Sequence, residues 1–527
     1  MKMSTKARYG LYACIKLAEK YGEDFVSTVD LANETGVSDG YLEQIIAMLK
    51  KGGIIISQRG ANGGHKLADK PINISVGKVL RCVEDNLEIV DCINGNCESR
   101  CTCSSRGLWK SLYDHINLYL DGISLQQLVN VDENKRIYLD HAATTPLDPD
   151  VLRVMLPYMT DNYGNSHSQH FFGRDALAGV DRARKQVADA IHALPGEIYF
   201  TGSGTEADNW ALKGIALERA NKGKHIIVSA IEHHAILNSA EWLKNNGFDV
   251  TFLPVDNYGR VSPETLKQAM RPDTTLVSVM FANNEVGTIE PVAELAKVVH
   301  EGNAVFHVDA VQAMGVIDID VKALGIDMLS MSAHKFYGPK GVGALYIKNG
   351  LRIQKLIVGG GQERSMRGGT TNTAGVVGMG EALEKAVQNL NKNNEYVKSL
   401  RDHFVERVTS EIPYVSYNGH PTERLPGNAS FSFEFVEGES ILMLLDFAGI
   451  AVSSGSACSS GSLDPSHVLM AMGVPIEVSH GTIRFSFGKH NTMEQVDYTV
   501  DKLKEIIERL RMMSPLFALK EGEKKNV

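Results

Sequence analysis

The chain has 527 residues, too many for one ordinary core, so two to four domains are expected. A net charge of -9 argues against a protein that merely coats nucleic acid, and the composition is that of a soluble globular protein. No run of about 18 apolar residues is present, so no membrane helix is expected. The basic start, Met1-Lys-Met-Ser-Thr-Lys-Ala-Arg8, has no long apolar core behind it, so no secretory signal is expected either. The expected compartment is the cytoplasm. Thiols stay reduced there, and clustered cysteines favour metal or redox chemistry over disulfides.

Ala7, Leu11, Ile15 and Ala18 recur at helical spacing and predict a first helix over 6–21. Thr28 can cap a second helix ahead of Val29 and Leu31. Thr35-Gly36-Val37-Ser38 reads as a tight turn, with Ser38 capping a third helix that carries Tyr41, Leu42, Ile45, Ile46 and Leu49. Two short helices about a glycine turn form a helix-turn-helix. The apolar run Ile54-Ile-Ile56 and the Gly-rich stretch Gln58–Leu67 then read as a wing. Lys50, Lys51, Arg59, Lys66 and Lys70 face Asp69 alone there, placing positive charge where helix and wing meet phosphates. The candidate DNA contacts are Ser38, Tyr41, Gln44, Lys50, Arg59 and Lys66.

Six of the seven cysteines fall in the first 103 residues. Cys92, Cys97, Cys101 and Cys103 lie within twelve residues, a pattern for metal ligation. Spacing alone leaves zinc and an iron–sulfur cluster both open. A long helix and a short one follow over 107–129, with an apolar stripe (Leu108, Trp109, Leu112, Tyr113, Ile116, Leu120) suited to dimerisation or to packing on its own domain. Gly36-Val-Ser, Arg59-Gly-Ala-Asn-Gly-Gly-His-Lys-Leu-Ala68, Ile74-Ser-Val-Gly-Lys-Val79, Leu108-Trp109 and Gly122-Ile-Ser-Leu125 make residues 1–130 resemble the IscR/NsrR family of iron–sulfur cluster regulators. The resemblance implies cluster ligation by Cys92, Cys97 and Cys103. The family's histidine ligand falls at Arg106, and Cys101 is an alternative.

Residues 131–136 read as a polar linker. Beyond it, apolar strands (Ile198-Tyr-Phe200, Ile226–Ser229, Leu276–Met280, Ala304–Val308, Met328–Met331) alternate with helical segments, predicting a mainly parallel, doubly wound α/β sheet. Ligands sit at the carboxyl ends of such strands. Those ends offer Thr201–Asn209, a Gly/Ser/Thr turn opening a helix; Glu232-His-His234; Asn283-Asn-Glu-Val-Gly287; Asp309–Gln312; and Ser332-Ala-His-Lys335. A phosphate cradle, a carboxylate, imidazoles, amides and a lysine together suit pyridoxal phosphate (PLP). The last cysteine, Cys458, stands alone in Ser453-Ser-Gly-Ser-Ala-Cys-Ser-Ser-Gly-Ser462, as a nucleophile that must move.

Leu139-Asp-His-Ala-Ala-Thr-Thr-Pro, Asn283-Asn-Glu-Val-Gly, Ser332-Ala-His-Lys-Phe-Tyr-Gly-Pro-Lys-Gly, Arg367-Gly-Gly-Thr, Ser453-Ser-Gly-Ser-Ala-Cys and Ile483-Arg-Phe-Ser resemble the NifS/IscS cysteine desulfurases of aminotransferase-like fold type I. The likeness runs from Ile137 to Lys504. It implies a large domain over 150–395, a small α+β domain from 137–149 plus 396–510, and a polar tail over 511–527. It implies Lys335 as the PLP lysine and His233 stacked on the ring. Asp309 would pair with the ring nitrogen, and Gln312 and Asn284 would lie at the phenolic oxygen. Gly204, Thr205, Ser332, His334 and Thr370 from a second subunit would hold the phosphate. Arg484, with Asn284, would take the carboxylate of L-cysteine. Cys458 would receive the sulfur for a scaffold or other acceptor. A homodimer follows from the shared site. A PLP-bearing ligand sensor attached to a DNA-binding domain, an aminotransferase and a selenocysteine lyase are the competing readings; neither the sensor nor the aminotransferase has a use for Cys458.

Overall fold

The computed structural model describes residues 4–22, 24–60, 63–84, 90, 103–129, 136–454, 465–514 and 516–520. The chain divides into two compact units, Met1–Lys135 and Arg136–Val527. No described helix is long and apolar enough to cross a membrane.

The first unit packs helices Thr5–Glu19, Thr28–Thr35 and Asp39–Lys51 against a two-stranded antiparallel wing, Ile55–Gln58 with Gly64–Leu67. Leu42, Ile45, Ile46 and Leu49 lie on one face of the third helix and are buried together with Leu17, Leu31 and Ile54. The cap of the second helix is Ser27, one residue before the expected Thr28, because its hydroxyl accepts the Asp30 N–H. Ser38 occupies the expected cap position, but its side chain makes no capping bond. The helices Val76–Val83, Arg106–Gly122 and Leu125–Val129 complete the unit. The apolar stripe over 107–129 divides: Leu120 packs on the unit's own core, as does Leu128 in the short helix, whereas Leu108 and Leu112 are exposed.

In the second unit the described residues form a seven-stranded sheet. Its order is Ile198–Thr201, Gly343–Ile347, Met328–Ser332, Val305–Asp309, Thr274–Ser278, His225–Ser229, Asp249–Leu253. Five neighbouring strands, from Met328–Ser332 to Asp249–Leu253, run parallel, and Gly343–Ile347 lies antiparallel between Met328–Ser332 and Ile198–Thr201. Four central strands and Gly343–Ile347 are buried along their whole length, as a sheet covered on both faces requires. A second core gathers Ile137, Leu139, Phe404, Phe431, Phe433, Ile483, Phe485 and Leu503 around the antiparallel strands Val415–Asn418, Asn428–Phe433, Thr482–Ser486 and Ser453–Ser454.

Candidate active site

Lys335 follows the strand Met328–Ser332 in a single tight turn, Ala333–Lys335. Its ammonium donates to the carbonyls of Ala142 at 2.5 Å and Ala143 at 2.8 Å. Gln312 Nε2 donates to the same Ala142 carbonyl at 2.9 Å. The His141–Thr144 turn is thereby drawn across the sheet onto the lysine. His334 Nδ1 lies 3.1 Å from Thr144 Oγ1, and the His334 carbonyl accepts both the N–H and the hydroxyl of Thr145.

Asp309 ends the central strand, and its Oδ1 accepts the Val311 N–H at 2.9 Å. Burial holds this carboxyl up to about 6, against the pull of that N–H and of the Lys335 ammonium. His233 caps the helix His234–Asn245, its Nδ1 accepting the Ala235 N–H at 3.1 Å. An amide N–H can only donate, so the neutral ring carries its proton on Nε2. Burial pushes His233 down to about 4, with Lys335, His234 and His467 adding to the effect. Two acids in the strand-end stretches to which the sequence assigns no role, Asp208 and Glu232, lie buried within electrostatic reach of Asp309. Burial drives both well above the usual carboxyl range, and each keeps one carboxyl oxygen without a hydrogen-bond partner.

The helix Gly204–Glu218 opens beside this group, with Ser203 accepting the Glu206 N–H. A Cβ on Gly204 would lie 2.9 Å from Val311 Cγ2 and 3.3 Å from Ser332 Cβ, so glycine lets the helix start approach the lysine strand. Glu206 fixes the turn, accepting from the Gly202 N–H at 2.8 Å and from Arg367 at 2.8 and 3.0 Å. Thr205 and Thr370 are exposed. Unpaired N–H groups and the positive end of a helix dipole suit a phosphate. The cradle beside Gly204, the buried Asp309 and Lys335 fit PLP as a donor set. Arg484, only 3 % exposed, pairs with Asp140 Oδ1 at 2.8 Å and donates to the Asn284 carbonyl at 3.2 Å, yet its buried Nε has no hydrogen-bond acceptor. A cavity of about 310 Å³ opens beside Lys335, lined by Ala142, Gln312, Asn428 and Ser486 and by Asp148 with Lys385 and Lys489. Cys458 lies outside the described residues, which stop at Ser454 and resume with Pro465.

Residues 137–499 match the model of the class-V aminotransferases. Cysteine desulfurases IscS from Methanosarcina thermophila and Clostridium botulinum are 52% and 53% identical over 384 and 386 residues, 73% of this chain and 95% and 97% of theirs. A solved NifS-like protein superposes with a TM-score of 0.67 at 40% identity, covering 71% of this chain and 99% of that one. The chain belongs to the cysteine desulfurases of the class-V aminotransferase family. Of the residues expected at the site, the fold brings Lys335, His233, Asp309 and Gln312 within reach of one another, and Arg484 onto Asp140 and the Asn284 carbonyl. Asp140, which the sequence pattern left unassigned, sits inside the Leu139-Asp-His motif, where its pairing with Arg484 was the signal to look for.

Residues 3–131 match the iron-dependent transcriptional regulators, the Rrf2 family, so a winged-helix regulator precedes the desulfurase. Ser38, Gln44, Lys50, Arg59 and Lys66 are all exposed on the third helix and wing. Tyr41 is half-buried and packs edge-on against Tyr9. Cys103 is exposed, and hydrogen bonding to Ser105 holds its thiol below the usual range. Cys92, Cys97 and Cys101 lie outside the described residues.

Proposed function

We propose that the desulfurase unit converts L-cysteine to L-alanine and loads the sulfur onto Cys458 as a persulfide, for an iron–sulfur scaffold or another acceptor protein. The observation that carries this is Lys335 set at a strand end within reach of both a buried Asp309 and a neutral His233. Bound PLP supplies an electron sink for bond changes at the substrate Cα and Cβ. Lys335 would hold it covalently, and its free amine would take the Cα proton. Asp309 holds the ring nitrogen, and Gln312 and Asn284 the phenolic oxygen. Gly204, Thr205, Ser332, His334 and Thr370 of the partner subunit hold the phosphate. Arg484 takes the substrate carboxylate at the side where its Nε lacks an acceptor. His233 hands on a proton only from Nε2, since Nδ1 is committed to Ala235. The Cys458 thiolate attacks the substrate Sγ; the S–S bond forms, the Cβ–Sγ bond breaks, Cβ takes a proton, and Lys335 returns the proton to Cα to give alanine. With PLP and a thiol reductant the protein should release alanine and sulfide from L-cysteine. Cys458→Ser should end turnover with the cofactor absorbance intact, and undiminished turnover in that variant removes Cys458 from the mechanism.

The regulator unit, in the same reading, binds DNA through its third helix and wing and an iron–sulfur cluster through Cys92, Cys97 and Cys103, with Cys101 or another residue as fourth ligand. In the same reading the protein works in the cytoplasm and forms a homodimer, and the homodimer is supported by exposed Leu152, Leu156, Met159 and Tyr163 on one unit and Leu108 and Leu112 on the other.

A further inference from the structure

Tyr337, two residues after Lys335, has left-handed backbone with φ 64°. A bulky side chain takes that conformation only where its surroundings over-determine it. Three parts of the desulfurase unit do so here. In the lysine turn, the Phe336 and Gly338 N–H groups close on the Ala333 carbonyl at 3.2 and 3.0 Å. In the segment that carries the Ala142 and Ala143 carbonyls, Thr145 Oγ1 accepts the Tyr337 N–H at 2.8 Å, and the Asp148 N–H donates to the Tyr337 carbonyl at 3.0 Å. Beyond the strand Thr482–Ser486, the Lys489 N–H donates to the Tyr337 hydroxyl at 3.0 Å, and the Lys489 ammonium lies 4.3 Å from the ring centroid. Asp148 closes the knot, accepting from Lys489 at 2.7 Å and from Lys385 at 2.8 Å.

We propose that Tyr337 is a positioning residue that sets the span between Lys335 and Arg484, and so fits the site to an α-amino acid. The inference rests on the reading of Lys335 as the PLP lysine and Arg484 as the carboxylate site. The two residues stand on different layers: Lys335 follows a strand of the seven-stranded sheet, and Arg484 lies in the antiparallel layer. Lys489 comes five residues after Arg484, so the Tyr337 side chain joins the lysine turn directly to the end of the arginine strand. Between them, Ser486 Oγ accepts the Ala142 N–H at 2.9 Å. Gly488 packs so closely on His141 that a Cβ there would lie 2.4 Å from the ring. Burial pushes the Tyr337 phenol up to about 12 against the pull of the Lys489 N–H, so near neutrality it is an uncharged acceptor. An α-amino acid must place its amine at the lysine's cofactor and its carboxylate at the arginine together. Those groups are one carbon apart and cannot adapt to a changed span. A misplacement of about 1 Å costs on the order of 100-fold in such two-point placement.

The test uses the full chain with bound PLP and two amines, each titrated by the change in cofactor absorbance. L-Alanine must satisfy both the lysine's cofactor and Arg484, whereas methylamine has no carboxylate and needs the cofactor alone. Tyr337→Phe keeps the ring and removes the acceptor of the Lys489 N–H. Its affinity for L-alanine should fall at least about tenfold, with methylamine within about twofold of wild type. Lys489→Met keeps an apolar stem against the ring but loses the ammonium; it should show the same split, and it replaces Tyr337→Phe if that variant fails to retain the cofactor. An L-alanine affinity within about twofold of wild type overturns the proposal. A matched fall for both amines also overturns it, since a residue that only supports the fold would weaken both alike. Arg484→Ala that keeps the wild-type preference for L-alanine over methylamine instead overturns the carboxylate-site reading on which the proposal depends.

Discussion

Glu363, Arg364 and Ser365 occupy left-handed backbone in succession, with φ of 45°, 56° and 66°. Three non-glycine residues adopt that conformation only where the surroundings over-determine it. Glu363 supplies the hold: it accepts from Arg184 at 2.7 and 2.8 Å and from the Phe200 N–H at 2.9 Å, while Arg184 also binds the Ile198 carbonyl and lies over the Phe200 ring. Both partners are nearly buried, so removing one leaves an uncompensated charge in the interior. Glu363→Ala should cost about 3–5 kcal/mol in denaturant unfolding of the desulfurase unit. A loss below about 1 kcal/mol would show the pair to be idle. Neither this pair nor the buried acids Asp208, Glu232 and Glu285 could be weighed from the sequence. Their charge states depend on burial and on neighbours tens to hundreds of residues away. Lys335, Asp309, His233 and Gln312 were legible because each follows a strand whose apolar run is written in the sequence.

The third helix and wing show how far element-level reading reaches. The buried face of Asp39–Lys51 leaves Gln44, Lys50 and the flanking Ser38 outward, and the strand pairing Ile55↔Leu67 to Gln58↔Gly64 presents Lys66 on the wing. Ser27 and Ser75 each accept an amide proton at a helix start, whereas Ser38 does not. Ser27→Ala should therefore lose about 1 kcal/mol of stability, and Ser38→Ala only a few tenths. Neutralising Lys50, Arg59 and Lys66 together should weaken operator binding at all sequences alike. It should also reduce the slope of log affinity against log salt by about 0.9 for each phosphate that no longer has a cationic partner. An unchanged slope in a salt titration would show that other side chains neutralise the phosphates. In the second unit, the strands Asp249–Leu253 and Gly343–Ile347 carry no clear sequence signal. The former is half-exposed at the sheet edge, and the latter is fixed by antiparallel pairing with the preceding strand Met328–Ser332 and with Ile198–Thr201, remote in sequence.

At the scale of the molecule, each unit closes its own hydrophobic core: one gathers Leu31, Leu42, Leu49 and Val79, the other its sheet and antiparallel layers. The Methanosarcina and Clostridium relatives align along 95% and 97% of their length while reaching only 73% of this chain, so the desulfurase architecture is complete without the regulator. The lopsided cysteine distribution should then separate experimentally. Protein isolated without oxygen should carry iron and acid-labile sulfide, and replacing Cys92, Cys97 and Cys103 together should remove both. Alanine release from L-cysteine should stay within about twofold of wild type, because no core residue of the desulfurase unit is touched. Cys458→Ser should do the reverse, ending turnover while its N-terminal unit still accepts iron supplied with inorganic sulfide. Zinc in place of iron and sulfide would defeat the cluster assignment. A large fall in turnover on replacing the three N-terminal cysteines would defeat the independence of the two sites.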